Sequence, residues 1–177
     1  MTTPINRCWV FWGLALVAVS LDLGTKAWVE SALLPGHGRT FLSGIVRIYH
    51  LPEVNRGAFF SLGSRWGPNA NLVFASISFL VILVILLIHL RPTIRQSAYL
   101  SAALGCIFGG ALGNLHDRIR YGGVRDFLQL FLPLGQDSHV PLTAVFNLAD
   151  TALLLGAAML LLASWREPCP KGEAAAR

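Results

Sequence analysis

Charge is scarce in this chain. Only 13% of its 177 residues are Asp, Glu, Lys or Arg, whereas an average soluble domain carries about 25%. With 54% hydrophobic residues and a mean hydropathy of +0.59, the deficit points to an integral membrane protein. Paired cysteines are missing as well. Cys8, Cys106 and Cys169 share no spacing and form no CxxC, so neither a disulfide scaffold nor a zinc site is supported. The surplus of +5 positive charges is spread through loops without a basic run or an aromatic-basic ladder, which argues against nucleic acid as a partner. There is no HExxH, GxSxG, P-loop or GxGxxG, and His37, His50, His89, His116 and His139 are scattered. No metal and no cofactor is implied. A Ser/Lys dyad would need Lys26 with Ser20 or Ser61, and no spacing pairs them. No internal repeat is present.

What the chain does have is four long apolar runs, at about 8–28, 70–90, 97–116 and 145–165. A helix of about 20 predominantly apolar residues crosses a bilayer, so four transmembrane helices are predicted. The first run follows Arg7 and resembles a signal peptide. No A-x-A site follows it, however, and three more spans lie downstream, which favours a retained helix. Four spans put both termini on one side and the loops 29–69 and 117–141 on the other. Lys and Arg number six on the terminal side and eight on the loop side. A simple reading of the charge rule would therefore put the loops inside; because Lys26, Arg118 and Arg120 lie at the interface or within a site, charge does not fix the orientation. Residues 36–64 mix Gly and Pro with β-branched and aromatic residues, and GIVRIYHL alternates, so one or two short strands are expected there. The length suits one domain, 1–166, with a polar, disordered tail at 167–177.

Ionisable groups inside a membrane are costly and mark function by default. They cluster in two stretches here. In GGALGNLHDRIRYGGVRDF (109–127), Gly105, Gly109 and Gly113 lie four apart and make one smooth helix face, which reads as packing glue. Gly110, Asn114 and Arg118 fall on an adjacent face, where glue and function both remain open. In FNLAD, Asn147 and Asp150 share a face at i, i+3; they could also be a helix-cap pair. Asp126 alone could be a solvated loop carboxylate. Together, Asp126 leaves the third span and Asp150 opens the fourth, so antiparallel packing brings them to one membrane face. Two carboxylates at one site do not easily both ionise, and one then holds a proton near neutral pH. An aspartic peptidase needs that asymmetry: the ionised member activates water and the protonated member hydrogen-bonds the carbonyl oxygen. Asp117 is a third, lower-ranked candidate.

Five blocks, in order, resemble the lipoprotein signal peptidase (signal peptidase II, prolipoprotein signal peptidase) family. They are DLGTK (Asp22, Thr25, Lys26), NRGAFFS (Asn55, Gly57, Ala58, Phe60), GGALGNLHDR, VRDF and FNLAD. The resemblance implies an all-α membrane protein of four transmembrane helices with a small extracytoplasmic β-cradle. It implies an inner-membrane aspartyl endopeptidase that removes the signal peptide from diacylglyceryl-modified prolipoproteins, cutting before the lipidated cysteine. Asp126 and Asp150 would be the catalytic pair. Asn55, Gly57, Asn114, Arg118 and Asn147 would hold substrate and orient the aspartates, and Asp22 and Lys26 would support them, as an ion pair fixing the first helix. Termini would be cytoplasmic and the active site periplasmic. The partners would be lipid-modified prolipoproteins and membrane lipids, and the enzyme a monomer.

Two departures from the family pattern stand out. Pro141 is followed by Leu-Thr-Ala-Val before Phe146, which shifts the approach to the fourth helix. Arg125 stands beside Asp126; it either points away from the site by strand-like alternation or lowers the pKa of Asp126 by its charge. Two rival functions are a proton-coupled transporter, for which a repeat would be expected, and a non-catalytic membrane scaffold.

Overall fold

The computed structural model of the chain describes residues 7–57, 69–134 and 139–166. The tail at 167–177, positions 58–64 of the first loop with Ala58, Phe60 and Ser61, and Cys169 lie outside these. Nine elements are seen, in the order α1 (Cys8–Ala32), β1 (Gly38–Phe41), β2 (Val46–Tyr49), α2 (Asn69–His89), α3 (Pro92–Gln96), α4 (Ala98–Tyr121), β3 (Leu128–Pro133), β4 (His139–Pro141) and α5 (Leu148–Arg166). Four of them, α1, α2, α4 and α5, are long and apolar enough to cross a membrane.

The helix boundaries differ from the apolar runs for physical reasons. Helix α1 continues past Trp28 to Ala32, and α4 past His116 to Tyr121, because the charged residues that end each apolar run are paired inside the bundle. Gly122, at φ +72°, closes α4 in the left-handed conformation, which glycine adopts at no steric cost. At its other end Ser97 caps α4 by accepting from Leu100 N–H at 3.2 Å. The short α3, with Pro92 in its first turn, fills the turn between α2 and α4 and was not expected from the sequence. Arg7 N–H donates to Arg95 O at 2.8 Å there.

Helix α4 is the central post. In its apolar stretch 61% of residues are buried, against 11–17% in the other three. The glycine stripe explains how its neighbours come so close. A Cβ on Gly105 would stand 2.6 Å from Phe11 O, and one on Gly109 2.6 Å from Ala15 O, both on α1. Gly110 meets α5 in the same way, 2.5 Å from Ala149 O. The packing role predicted for the stripe is therefore what the helices display. Phe11, Leu104, Ile107, Phe108, Ile82 and Ile85 fill the core. Outward-facing Leu16, Leu21, Leu80, Leu87, Leu154 and Leu161 are exposed, as are Trp9, Trp28 and Trp165 near helix ends, the pattern of a lipid-facing surface with interfacial tryptophans.

Strands from both inter-helix loops form one antiparallel sheet, ordered β1-β2-β3-β4. Val46 faces Leu130 and Ile48 faces Leu128 across the central pair. The first loop was expected to hold strands; β3 and β4 from the second were not. Because the sheet unites the two loops, both lie at the same end of the bundle.

Candidate active site

The site forms where the sheet meets the helix ends. Asp126 follows the Gly122 turn. Its segment is pinned by mutual Asn55–Val124 backbone hydrogen bonds of 2.8 Å on one side, and by Phe127 N–H to Phe146 O at 3.0 Å on the other. Asp150 is the third residue of α5. Asn147 Oδ1 accepts from Asp150 N–H at 2.9 Å, and Asp150 Oδ2 accepts from Asn147 N–H at 3.3 Å. This is a reciprocal capping box, so the helix-cap reading of the pair holds. Asp150 also lines the pocket, and the fully buried Asn147 reaches Asp126 and Asn114 from behind it, so cap and site share residues.

Both carboxyls line one pocket, together with Asn55, Gly57, Asn114 and Arg118. Amides connect them. Asp126 Oδ2 accepts from Asn55 Nδ2 at 2.9 Å and Oδ1 from Asn147 Nδ2 at 2.7 Å. Asn147 Nδ2 also donates to Asn114 Oδ1 at 3.1 Å, and Asn114 Nδ2 donates to Asp150 Oδ1 at 2.9 Å. Asp126 is thus joined to Asp150 through two asparagines. Burial pushes the Asp126 pKa up to about 6; hydrogen bonds from Asn55 and Asn147 pull it down, while the charge of Asp150 adds to the rise. Arg118, on α4, donates from Nη2 to Gly57 O at 2.8 Å. Its Nε and Nη1 are buried without a hydrogen-bond partner among the described residues, which leaves donors beside the pocket. An apolar groove lined by Phe74, Ile77, Leu153, Leu154 and Ala157 runs from Asn114, Arg118 and Asp150 between α2 and α5.

Asp22 and Lys26 do pair, at 2.7 Å, but they do more than fix α1. Asp22 Oδ1 accepts Ala149 N–H at 2.9 Å, the residue before Asp150. Gly113 makes room for this, since a Cβ there would stand 2.5 Å from Asp22 Oδ2. Lys26 also reaches Asp117 at 3.0 Å. Asp117 does not line the pocket; it is fully buried and takes Arg125 as a second cation, Nη2 to Oδ1 at 2.7 Å. Arg125 therefore turns away from Asp126, the first of the two alternatives the sequence left open. Burial opposes the Arg125 charge, but the hydrogen bonds and charges of Asp117 and Glu30 outweigh it and hold its pKa above the usual value. Glu30, which carried no signal in the sequence, bonds Arg125 Nη1 at 2.7 Å. Its position one turn after Lys26 on α1 was the available clue.

The altered stretch after Pro141 forms a bulge. Leu142 and Thr143 N–H both donate to Leu130 O, while Phe146 N–H donates to Leu128 O. Two steps along β3, from Leu128 to Leu130, thus face four along the segment after β4, from Leu142 to Phe146. Thr143, Ala144 and Val145 in that bulge wall the pocket. Helix α5 consequently begins at Leu148, later than the apolar run. Among the described residues no three of His, Cys, Asp and Glu converge on a metal-binding position.

Known proteins share this architecture and sequence. Two solved structures, each described as a bacterial membrane enzyme, superpose with TM-scores of 0.79 and 0.75, at 21% and 20% identity. They cover 100% and 94% of this chain, and all of theirs. At that identity the likeness concerns the fold. Sequence relatives reach further. The lipoprotein signal peptidase of Nitratidesulfovibrio vulgaris is 36% identical over 90% of this chain and 91% of its own. That of Syntrophomonas wolfei is 37% identical over 86% and 90%, and that of Yersinia pestis 33% over 97% and 96%. A family model described as signal peptidase (SPase) II matches residues 14–166. The chain belongs to the signal peptidase II family and is a multi-pass membrane peptidase.

Proposed function

We propose that residues 1–166 act as one membrane-embedded aspartyl endopeptidase. It removes the signal peptide from diacylglyceryl-modified prolipoproteins by cutting before the lipidated cysteine. The observation that carries this reading is the single pocket in which Asp126 and Asp150 are joined by Asn147 and Asn114. Two carboxyls so placed share one proton. The ionised member takes a proton from water, and the resulting nucleophile attacks the amide carbon. The protonated member hydrogen-bonds the carbonyl oxygen and then supplies the proton that the leaving amine needs. Arg118, with two donors unpartnered among the described residues, and Asn55 hold the substrate main chain against the pair. No cofactor takes part.

The apolar groove beside Asp150 supports a lipidated substrate. Acyl chains lying between α2 and α5 keep the modified cysteine at the bilayer surface, and that fixes the height at which the pair must stand. A prolipoprotein presents that cysteine outside the cytoplasm, so the sheet and pocket face the periplasm and both termini the cytoplasm. The enzyme is read as a monomer.

Cleavage of a diacylated precursor peptide, compared with its unlipidated twin, tests this. Wild-type protein is expected to cut only the lipidated peptide. Asp150→Asn protein, inserted at wild-type levels, is expected to cut neither. Full cleavage by Asp150→Asn removes the assignment. Ion-driven flux without cleavage would favour a transporter.

A further inference from the structure

The geometry points to Arg125 as a positioning residue for Asp126, acting through Asp117 and Glu30 rather than by contact with the substrate. The inference rests on the proposed role of Asp126.

The guanidinium is engaged on three sides. Nη2 and Nε donate to Asp117 at 2.7 and 3.3 Å, Nη1 donates to Glu30 Oε2 at 2.7 Å, and Cζ lies 4.2 Å from the centre of the Tyr121 ring. Its main-chain N–H also donates to Asp117 Oδ2, at 3.1 Å. One carboxylate thus holds both the backbone and the side chain of the residue before Asp126. Tyr121 ends α4 and Glu30 lies in the last turn of α1, so the clamp measures the strand segment against two helices.

Among the described residues no second clamp of this kind acts on Arg125. Val124 is tied to Asn55 and Phe127 to Phe146 through the main chain, which leaves Arg125 and Asp126 as the step between two anchors, held by Asp117 on one side and by the Asn55 and Asn147 amides on the other. Loss of the guanidinium leaves this peptide held to Asp117 by its N–H alone, which lets it rotate and carries the Asp126 carboxyl off its two amide donors. A displacement of about 1 Å at a catalytic group costs roughly 100-fold in rate. Lysine cannot substitute, because an ammonium supplies a point contact where two carboxylates and a ring require a planar fork.

The test compares purified wild-type, Arg125→Ala, Arg125→Lys, Glu30→Gln and Asp126→Asn proteins on the diacylated peptide. Folded fraction is measured alongside. Arg125→Ala is expected to lower kcat ~10- to 100-fold, to leave KM within about twofold, and to recover partly in millimolar guanidinium chloride. Arg125→Lys is expected to stay low. Glu30→Gln, which keeps the Asp117 contact, is expected to fold normally and lose ~2- to 5-fold in kcat, so the inference is testable even if Arg125→Ala does not fold. Wild-type turnover in Arg125→Ala overturns the inference. So does a loss fully explained by the folded fraction, or a full rescue by lysine. Activity in Asp126→Asn would instead overturn the assignment of the catalytic pair.

Discussion

Two sets of aspartates meet near the sheet end of this bundle, and the protein holds them by opposite means. Asp126 and Asp150 are held by amides: Asn55, Asn114 and Asn147 are their side-chain hydrogen-bond donors. Asp22 and Asp117 are held by cations, Lys26 between them and Arg125 beyond. Amides orient a carboxyl without fixing its charge, so the first set can hold or release a proton, as its proposed role requires. Cations satisfy a buried carboxylate only when it is ionised, and losing one partner strands a charge. The cation-held pair in turn anchors the amide-held one. Asp22 grips Ala149 beside Asp150, and Asp117 grips Arg125 beside Asp126. Rigidity and the proposed reactivity thus lie in adjacent networks, one built on cations and one on amides.

Substitutions should therefore divide by set. The largest effect is expected from Asp126→Asn or Asp150→Asn, at least ~1,000-fold in kcat in protein that still folds and inserts. Assay of the diacylated peptide against folded protein checks this. Lys26→Met should act on the fold instead, costing about 3–5 kcal/mol by leaving two buried carboxylates without their shared cation. Thermal unfolding in detergent and the yield of inserted protein report it.

A smaller effect separates the two sets by pH. In the folded chain Asp126 keeps its proton up to about pH 6, against an ordinary value of 3.8. Between these values the folded state binds more protons, so stability falls as pH rises through the window, and the full cost is present above about 6. A rise of that size corresponds to roughly 3 kcal/mol. Asp126→Asn escapes the cost but loses one of two accepting oxygens, worth about 1 kcal/mol. It should be more stable than wild type at pH 7 and lose that advantage by pH 4. The smallest effect is expected from Asn55→Ala. It removes a donor that favours ionised Asp126, so the midpoint should move upward with a several-fold change in rate, read from a pH–rate profile.

Much of this arrangement was legible in the sequence, and the remainder was hidden for identifiable reasons. Apolar run length placed the four spans, but it cut α1 and α4 short, because Lys26, Glu30, Asp117 and Arg118 look like helix-ending charges until their partners are known. The spacing of Asn147 and Asp150 showed that they share a face, though not that the cap and the pocket are one structure. Asp117 ranked low because on a helix it points about 100° away from Arg118; its contact with Arg125 was hidden because that residue lies eight positions on, and the two meet only after Gly122 turns the chain back. Strands β3 and β4 were missed because LQLFLP reads as an apolar run ending in proline; its pairing with the first loop is set by tertiary packing.

The measurement closest to the central claim is carboxyl 13C NMR of aspartate-labelled protein between pH 4 and 8, in wild type, Asp126→Asn and Asp150→Asn. One carboxyl is expected to titrate near pH 6, absent in Asp126→Asn and shifted downward in Asp150→Asn, where the neighbouring charge is gone. A titration that persists in Asp126→Asn, or a midpoint indifferent to the loss of Asp150, would contradict a shared proton.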